Sequence, residues 1–114
     1  MGQYFRLINK TKKEYLDPWD LGGGAKLWEW CANNHSRIIA FLLRKSTESG
    51  GGDIQKKYST AGSWAGDDVS LVGDYDESGD YGEAEQIYKN ISLKAAQEFN
   101  DFIGSDEIGV QLRR

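Results

Sequence analysis

The segment at residues 62–85 constrains the fold most, because it places a short apolar strand between two groups of carboxylates. Residues 69–72 read Val-Ser-Leu-Val, a pattern typical of a β-strand, and Gly73 permits a close backbone approach or a bulge. Eight acidic residues flank this strand with no Lys or Arg between them: Asp67, Asp68, Asp74, Asp76, Glu77, Asp80, Glu83 and Glu85. We therefore predict a central strand of the sheet with one acidic surface around it.

The charge of the chain is unevenly distributed. The net charge is −4, but outside these eight residues 10 acids face 14 bases. A chain of pI 4.9 lacks the clustered cations that nucleic acid or an anionic membrane surface would attract, so we predict neither as a partner. Because the remainder is net basic, we also expect that copies of the chain can associate head to tail as a homo-oligomer.

The length of 114 residues fits one domain, spanning 1–114, and the 14 aromatic residues argue against disorder. Cys31 is the only cysteine, and its apolar neighbours predict that it is buried and inert. The sequence contains no signal-peptide pattern and no apolar run of membrane-spanning length, so we expect a cytoplasmic location.

The pattern of apolar residues predicts the element order β-β-α-α-β-α-β. The strands are expected at 3–9, 14–16, 69–72 and 108–112, and the helices at 25–34, 35–46 and 93–104. Residues 84–90 fit a helix or a strand equally well. The fold class predicted is α+β, a single domain in which a small, mainly antiparallel sheet packs on two to three helices. The predicted core contains Ile38, Ile39, Leu42, Val69, Leu71, Phe99 and Ile103.

Residues 74–85, DYDESGDYGEAE, resemble the calcium loop of an EF-hand. That 12-residue loop places oxygen ligands at its first, third and fifth positions, glycine at its sixth and a bidentate glutamate at its last. The matching residues are Asp74, Asp76, Ser78, Gly79 and Glu85, with the carbonyl of Asp80 at the seventh position. The resemblance implies calcium as a cofactor, although no helix is predicted before the loop and Tyr81 replaces an aliphatic residue. The other interpretation is a solvated acidic turn.

A second candidate site combines aromatic rings with carboxylates. Trp64, Asp67, Asp68 and Tyr75 would bind a ligand, since an aromatic platform beside carboxylates suits a sugar or a nucleobase. Paired carboxylates such as Asp67 and Asp74 could also act as acid and base on a glycosidic bond. The alternative is that Trp64 anchors the core and that Gly66 and Asp67 form an ordinary turn.

No catalytic residue is assigned. His35 is the only histidine, and Asn33 and Asn34 are expected to interrupt the helix between it and Cys31, which disfavours a nucleophilic pair. One cysteine and one histidine are also too few for a typical zinc site.

Three short motifs resemble those of a group of small uncharacterised proteins from bacteria and phages. The chain opens M-G-Q-Y at residues 1–4, and carries W-A-G-D at 64–67 and G-D-Y at 73–75. The resemblance implies no activity. It does imply that Trp64, Asp67, Asp74 and Tyr75 belong to one structural unit.

The sequence favours a small non-catalytic binding or regulatory protein. It would present the acidic face at 67–85 to a cation, a basic protein partner or a small ligand. One alternative is an enzyme acting on a carbohydrate or nucleotide through Asp67 and Asp74, with Trp64 as the platform. Another is an acidic inhibitor of a nucleic-acid-binding protein, in which carboxylates take the place of phosphates.

Overall fold

The first two strands form the centre of the sheet. The computed structural model describes residues 3–47, 50–55 and 57–104. Strands β1 (Phe5–Asn9) and β2 (Glu14–Leu16) pair antiparallel, with Leu7 opposite Leu16. In the turn between them Lys13 takes a left-handed conformation with φ 57°, and Asn9 Oδ1 accepts a hydrogen bond from the Lys12 amide. The predicted N-terminal hairpin is therefore confirmed.

Strand β3 (Val69–Gly73) lies at one edge of the sheet and β4 (Lys89–Asn90) at the other. The strand order is β3-β1-β2-β4; β3 is antiparallel to β1, and β4 is parallel to β2. The prediction of a central position for residues 69–72 is therefore wrong within the described part of the chain. An apolar pattern reports how much of a strand's surface is buried, whereas its number of neighbours depends on pairing between distant segments.

Four short α-helices complete the described fold, where two to three were expected. They are α1 (Leu27–Ala32), α2 (Ile38–Leu43), α3 (Asp80–Ile87) and α4 (Ser92–Ile103), with 3-10 helices at Pro18–Leu21 and Asn34–Arg37. The ambiguous segment 84–90 contains the end of α3 and then β4. The predicted strand at 108–112 lies outside the described residues. The α+β class is confirmed.

One face of the sheet carries the larger apolar cluster, which we call the main core. Side chains from β1 and β2 pack there with α1, α2, α4 and the loop before β3. Its buried members are Leu7, Leu16, Leu21, Trp30, Ile38, Phe41, Leu42, Ile54, Trp64, Ile91, Ala95, Ala96 and Phe99. The opposite face, which we call the α3 face, carries a smaller cluster under α3. Its buried members are Ile8, Tyr15, Val72, Ala84 and Tyr88.

The predicted core residues fall into three groups, which are buried, partly buried or exposed in the structure. Ile38, Leu42 and Phe99 are buried in the main core. A second group, Ile39, Val69 and Leu71, is partly buried against it. Ile103 is 37% exposed, so its assignment to the core is wrong. In the last turn of α4 the apolar contact is made by Phe102 instead, whose ring packs on Phe41 and Tyr58.

The prediction that Cys31 is buried is also wrong, because its thiol lies on an exposed residue. The helix α1 has only six residues, and the one it buries is Trp30. The indole N–H of Trp30 donates to the Phe5 carbonyl at 3.1 Å. This hydrogen bond sets the orientation of the helix about its own axis. Because each residue turns the helix by about 100°, the next side chain leaves the buried face.

Among the described residues, no helix combines the length and apolar character needed to cross a membrane.

Candidate functional site

The fold divides the acidic segment between the two ends of β3. Register places Val69 opposite Asn9, beside the hairpin turn, and Gly73 opposite Phe5, at the other end of the strand. A strand of five residues is about 16 Å long. Asp67 and Asp74 lie beyond opposite ends of it, whereas acid and base carboxylates of glycosidases lie within about 10 Å of each other. The two residues are too far apart to act together on one glycosidic bond.

Asp67 and Asp68 fasten the loop before β3 to the hairpin turn. Asp67 Oδ2 accepts hydrogen bonds from Asn9 Nδ2 at 2.8 Å and Lys12 Nζ at 2.6 Å. These donors, Asn9 foremost, lower the pKa of the Asp67 carboxyl. The amide of Asp68 donates to Thr11 Oγ1 at 2.9 Å. The side chain of Asp67 thus already has protein partners, and the contacts of this pair of residues are structural.

Trp64 belongs to the main core and is fully buried. Its indole N–H donates to Glu14 Oε1 at 2.7 Å, so its one polar atom is satisfied inside the protein. The interpretation of Trp64 as a core anchor describes this structure, in which the ring is not exposed as a platform for a ligand.

At the other end of β3, Asp74 contacts Tyr4, which in turn contacts Trp19, and Tyr75 follows Asp74 in the chain. The Tyr4 amide donates to Asp74 Oδ1 at 3.1 Å, and the Asp74 amide donates to the Tyr4 carbonyl at 2.9 Å. The Tyr4 ring contacts the Trp19 ring edge to face, with the centroids 6.0 Å apart. Tyr75 is 59% exposed and Trp19 50% exposed. We call Tyr4, Trp19, Asp74 and Tyr75 the aromatic–acidic surface.

The sequence did not reveal Tyr4 and Trp19 as site residues. For Trp19 a local signal was present: Pro18 opens a 3-10 helix, and Asp17 Oδ1 caps it by accepting from the Trp19 amide at 3.0 Å. For Tyr4 the signal was the alternation of side chains along a strand. Tyr4 lies two residues before Arg6 and four before Ile8, so the three side chains are expected on the same face. Neither signal predicts that Tyr4 contacts both Asp74 and Trp19.

Arg6 joins β1 to α3 beside this surface, and the sequence did not single it out. Its side chain is 9% exposed. One guanidinium nitrogen donates to the Tyr81 carbonyl at 2.7 Å and another to Glu85 Oε2 at 3.0 Å. The guanidinium carbon lies 4.0 Å from the centroid of the Tyr81 ring, a cation–π contact.

Carboxylates from separate segments act on the two tyrosines that Arg6 contacts. Burial raises the pKa of the Tyr81 hydroxyl, and Asp74, Asp17 and Glu85 raise it further against the opposing effect of Arg6. The pKa of Tyr15 is raised by burial first, then by Asp17, with smaller effects from Glu85 and Asp20. Residues near 17–20 and near 74–85 therefore act electrostatically on the same region.

The proposed calcium ligands each have a contact within the protein. Asp76 accepts from the amide and hydroxyl of Ser78, and Asp80 Oδ2 lies 3.5 Å from Lys10 Nζ. Gly79 has φ 80°, the left-handed turn that the loop needs, but α3 begins at the next residue and includes Glu85. Across residues 3–47, 50–55 and 57–104, no three His, Cys, Asp or Glu side chains are grouped to hold a metal. For Glu85 to act as the bidentate calcium ligand, its carboxylate would have to break the ion pair with Arg6.

Comparisons of the chain with family models, with curated proteins and with solved structures found no match. The resemblance carried by residues 1–4, 64–67 and 73–75 therefore stays a prediction. A function can therefore be proposed only from the arrangement of the side chains in this structure.

Proposed function

We propose that this is a non-catalytic binding protein whose aromatic–acidic surface binds a basic segment of a partner protein. The observation that carries the proposal is the exposure of Tyr4, Trp19 and Tyr75 next to a carboxylate, Asp74. Tyrosine and tryptophan are enriched among the residues that dominate binding energy at protein interfaces. Exposed rings gathered at one end of a sheet are typical of such a surface.

The carboxylates near these rings favour a cationic partner. Asp74 contacts the Tyr4 amide, and Asp74, Asp17 and Glu85 each raise the pKa of the Tyr81 hydroxyl, although Arg6 lowers that pKa by more than any one of them raises it. An arginine of the partner would stack its guanidinium on an aromatic face and pair with a carboxylate at the same time. Inhibition of a nucleic-acid-binding protein is a narrower form of this proposal, in which the basic segment also binds polyanions.

Two of the three rings are already held in place. The backbone of Tyr4 is fixed by its two hydrogen bonds with Asp74, and that of Trp19 by the capped 3-10 helix. The two rings then pack against each other edge to face. Side chains that are ordered before binding lose less conformational entropy when the complex forms. We therefore expect binding to this surface to need little rearrangement.

The test uses a short peptide of alternating arginine and glycine, with citrulline in place of arginine as the neutral control. Its affinity is measured by isothermal titration calorimetry at several salt concentrations. Trp19→Ala and Tyr75→Ala should each weaken binding roughly tenfold, as expected for residues central to an interface. Asp74→Asn keeps an acceptor for the Tyr4 amide and should weaken binding several-fold, with a smaller salt dependence.

Two variants away from the surface serve as matched controls. Ile87→Ala removes an exposed apolar side chain from α3, and Asp68→Asn removes an exposed carboxylate beyond the opposite end of β3. Both should leave the affinity within about twofold of the parent, as surface positions outside an interface usually do. Equal losses in the controls, or equal binding of the citrulline peptide, would mean that the rings and Asp74 do not form a specific site.

A further inference from the structure

His35 is a buried histidine whose ring has no hydrogen-bond partner. It is 2% exposed, and both ring nitrogens are among the few buried side-chain atoms of the described residues that lack a partner. A buried polar atom without a partner costs free energy, and a proton on this ring would add a buried charge. Burial without a partner therefore favours the neutral form of His35.

The ring is covered by a glycine loop, residues 22–25. A Cβ at Gly23 would overlap the His35 ring, and one at Gly24 would overlap the carboxylate of Glu29. On its other side the ring lies 4.6 Å from the centroid of the Trp30 ring. The loop is connected to the sheet by the Phe5 amide, which donates to the Ala25 carbonyl at 2.7 Å.

Few charged groups surround the ring. The loop 22–25 and helix α2 contain no titratable residue, α1 contributes Glu29 and Cys31, and the 3-10 helix of His35 itself contributes Arg37. Burial lowers the pKa of His35, while the Gly24 backbone and Glu29 partly offset this effect. Burial has the larger effect because neither contact supplies a hydrogen bond of normal geometry to a ring nitrogen.

We propose that His35 is an acid-sensitive latch: a proton on its imidazole releases the loop at residues 22–25 from α1 and from the 3-10 helix Asn34–Arg37. The loop directly follows the 3-10 helix that carries Trp19, and it covers Trp30 through His35. Opening would thus uncover the Trp30 side of the main core. The inference does not depend on what the aromatic–acidic surface binds.

The direction of the pH effect follows from proton linkage. In the open state His35 titrates near its ordinary pKa of about 6.5, and in the closed state below it. Below pH 6.5 the open state therefore binds more protons, and its population rises by up to about tenfold per pH unit. The rise ends once the pH falls below the pKa of the closed state.

The single histidine makes the test direct. Proton NMR of the imidazole Cε1–H gives its titration in the native protein, and hydrogen exchange of the Phe5 amide reports detachment of Ala25. The Tyr88 amide, which donates to the Ala84 carbonyl on α3, is the matched control. We expect a pKa below 6.5 and, after correction for the intrinsic rate, faster Phe5 exchange from pH 6.5 downward with Tyr88 unchanged.

A His35 pKa of 6.5 or above, or equal acceleration at both amides, would overturn the inference. The variant His35→Phe keeps an aromatic ring and should make Phe5 exchange independent of pH between 7 and 5. If that variant does not fold, Glu29→Gln provides the second test. It removes the carboxylate that favours the charged ring but keeps an acceptor for the Lys26 amide. Because the pKa of the closed state then falls further, the rise in Phe5 exchange should continue to a lower pH than in the parent protein. A rise that ends at the same pH as in the parent, or at a higher one, would contradict the latch.

Discussion

The two faces of the sheet are made by the same strands but are covered very differently. The main core collects large side chains from three helices and a loop, including Trp30, Trp64 and Phe41. The α3 face is covered by one helix of eight residues, which buries only Ala84. Arg6 lies on that face as well, in a strand otherwise buried among apolar neighbours.

We expect this difference to separate the residues that stabilise the fold from those of the proposed binding surface. Burial of a large apolar side chain contributes about 1.5–3 kcal/mol, and the main core contains most of the large buried apolar residues described. The α3 face and its neighbouring strand ends instead carry tyrosines, carboxylates and a guanidinium. Changes on the first face should therefore unfold the protein, whereas changes at the aromatic–acidic surface should leave it folded.

The largest effect is expected for Trp64→Ala. It empties a fully buried site and leaves Glu14 without its indole donor, so unfolding should become easier by about 3–5 kcal/mol. Urea denaturation measures the loss. The contrasting variant Tyr75→Ala, at an exposed ring, should stay within about 0.5 kcal/mol of the parent. Similar losses in the two variants would abolish the distinction between the faces.

An intermediate and local effect is expected for Arg6→Ala. Hydrogen bonds to a charged group contribute about 1.5–3 kcal/mol, and this change removes those to the Tyr81 carbonyl and Glu85. Hydrogen exchange should show α3 losing protection while the amides of α4 keep theirs. Lys45→Ala, at an exposed position, is the control and should change neither helix. Loss of protection in both helices would mean that Arg6 supports the whole fold.

The smallest effect is expected for calcium. Because Glu85 pairs with Arg6 and Asp76 with Ser78, millimolar calcium should raise Tm no more than sodium chloride of equal ionic strength. The measurement is differential scanning fluorimetry of the parent and of Glu85→Gln. A selective rise with calcium that Glu85→Gln removes would restore the EF-hand interpretation of residues 74–85.

Local patterns in the sequence predicted local structure well. The hairpin at the N-terminus, the strand at residues 69–72, which the structure extends to Gly73, and the final helix were expected from alternation and helical spacing. Gly104, with φ 86°, ends α4 as expected for a glycine just past a helix. In a helix as short as α1, however, apolar spacing did not decide which side is buried, and Cys31 was assigned to the wrong one.

The candidate site was predicted only in part, for a physical reason. The density of acids drew attention to Asp74 and Tyr75, but Tyr4 lies 70 positions from Asp74 and contacts it only through the pairing of β1 with β3. The same pairing places Asp67 at the far end of the strand. Contacts between distant segments depend on the whole fold, and no pattern within a short window of sequence reports them.

If the proposal is right, a basic peptide binds at the aromatic–acidic surface and nowhere else on the acidic segment. This can be tested by NMR titration of the 15N-labelled protein with the arginine–glycine peptide. We expect the amide signals of Tyr4, Asp74 and Tyr75 and the indole signal of Trp19 to shift together and to saturate. Shifts centred on Asp67 and Asp68, or spread evenly over all exposed carboxylates, would contradict it.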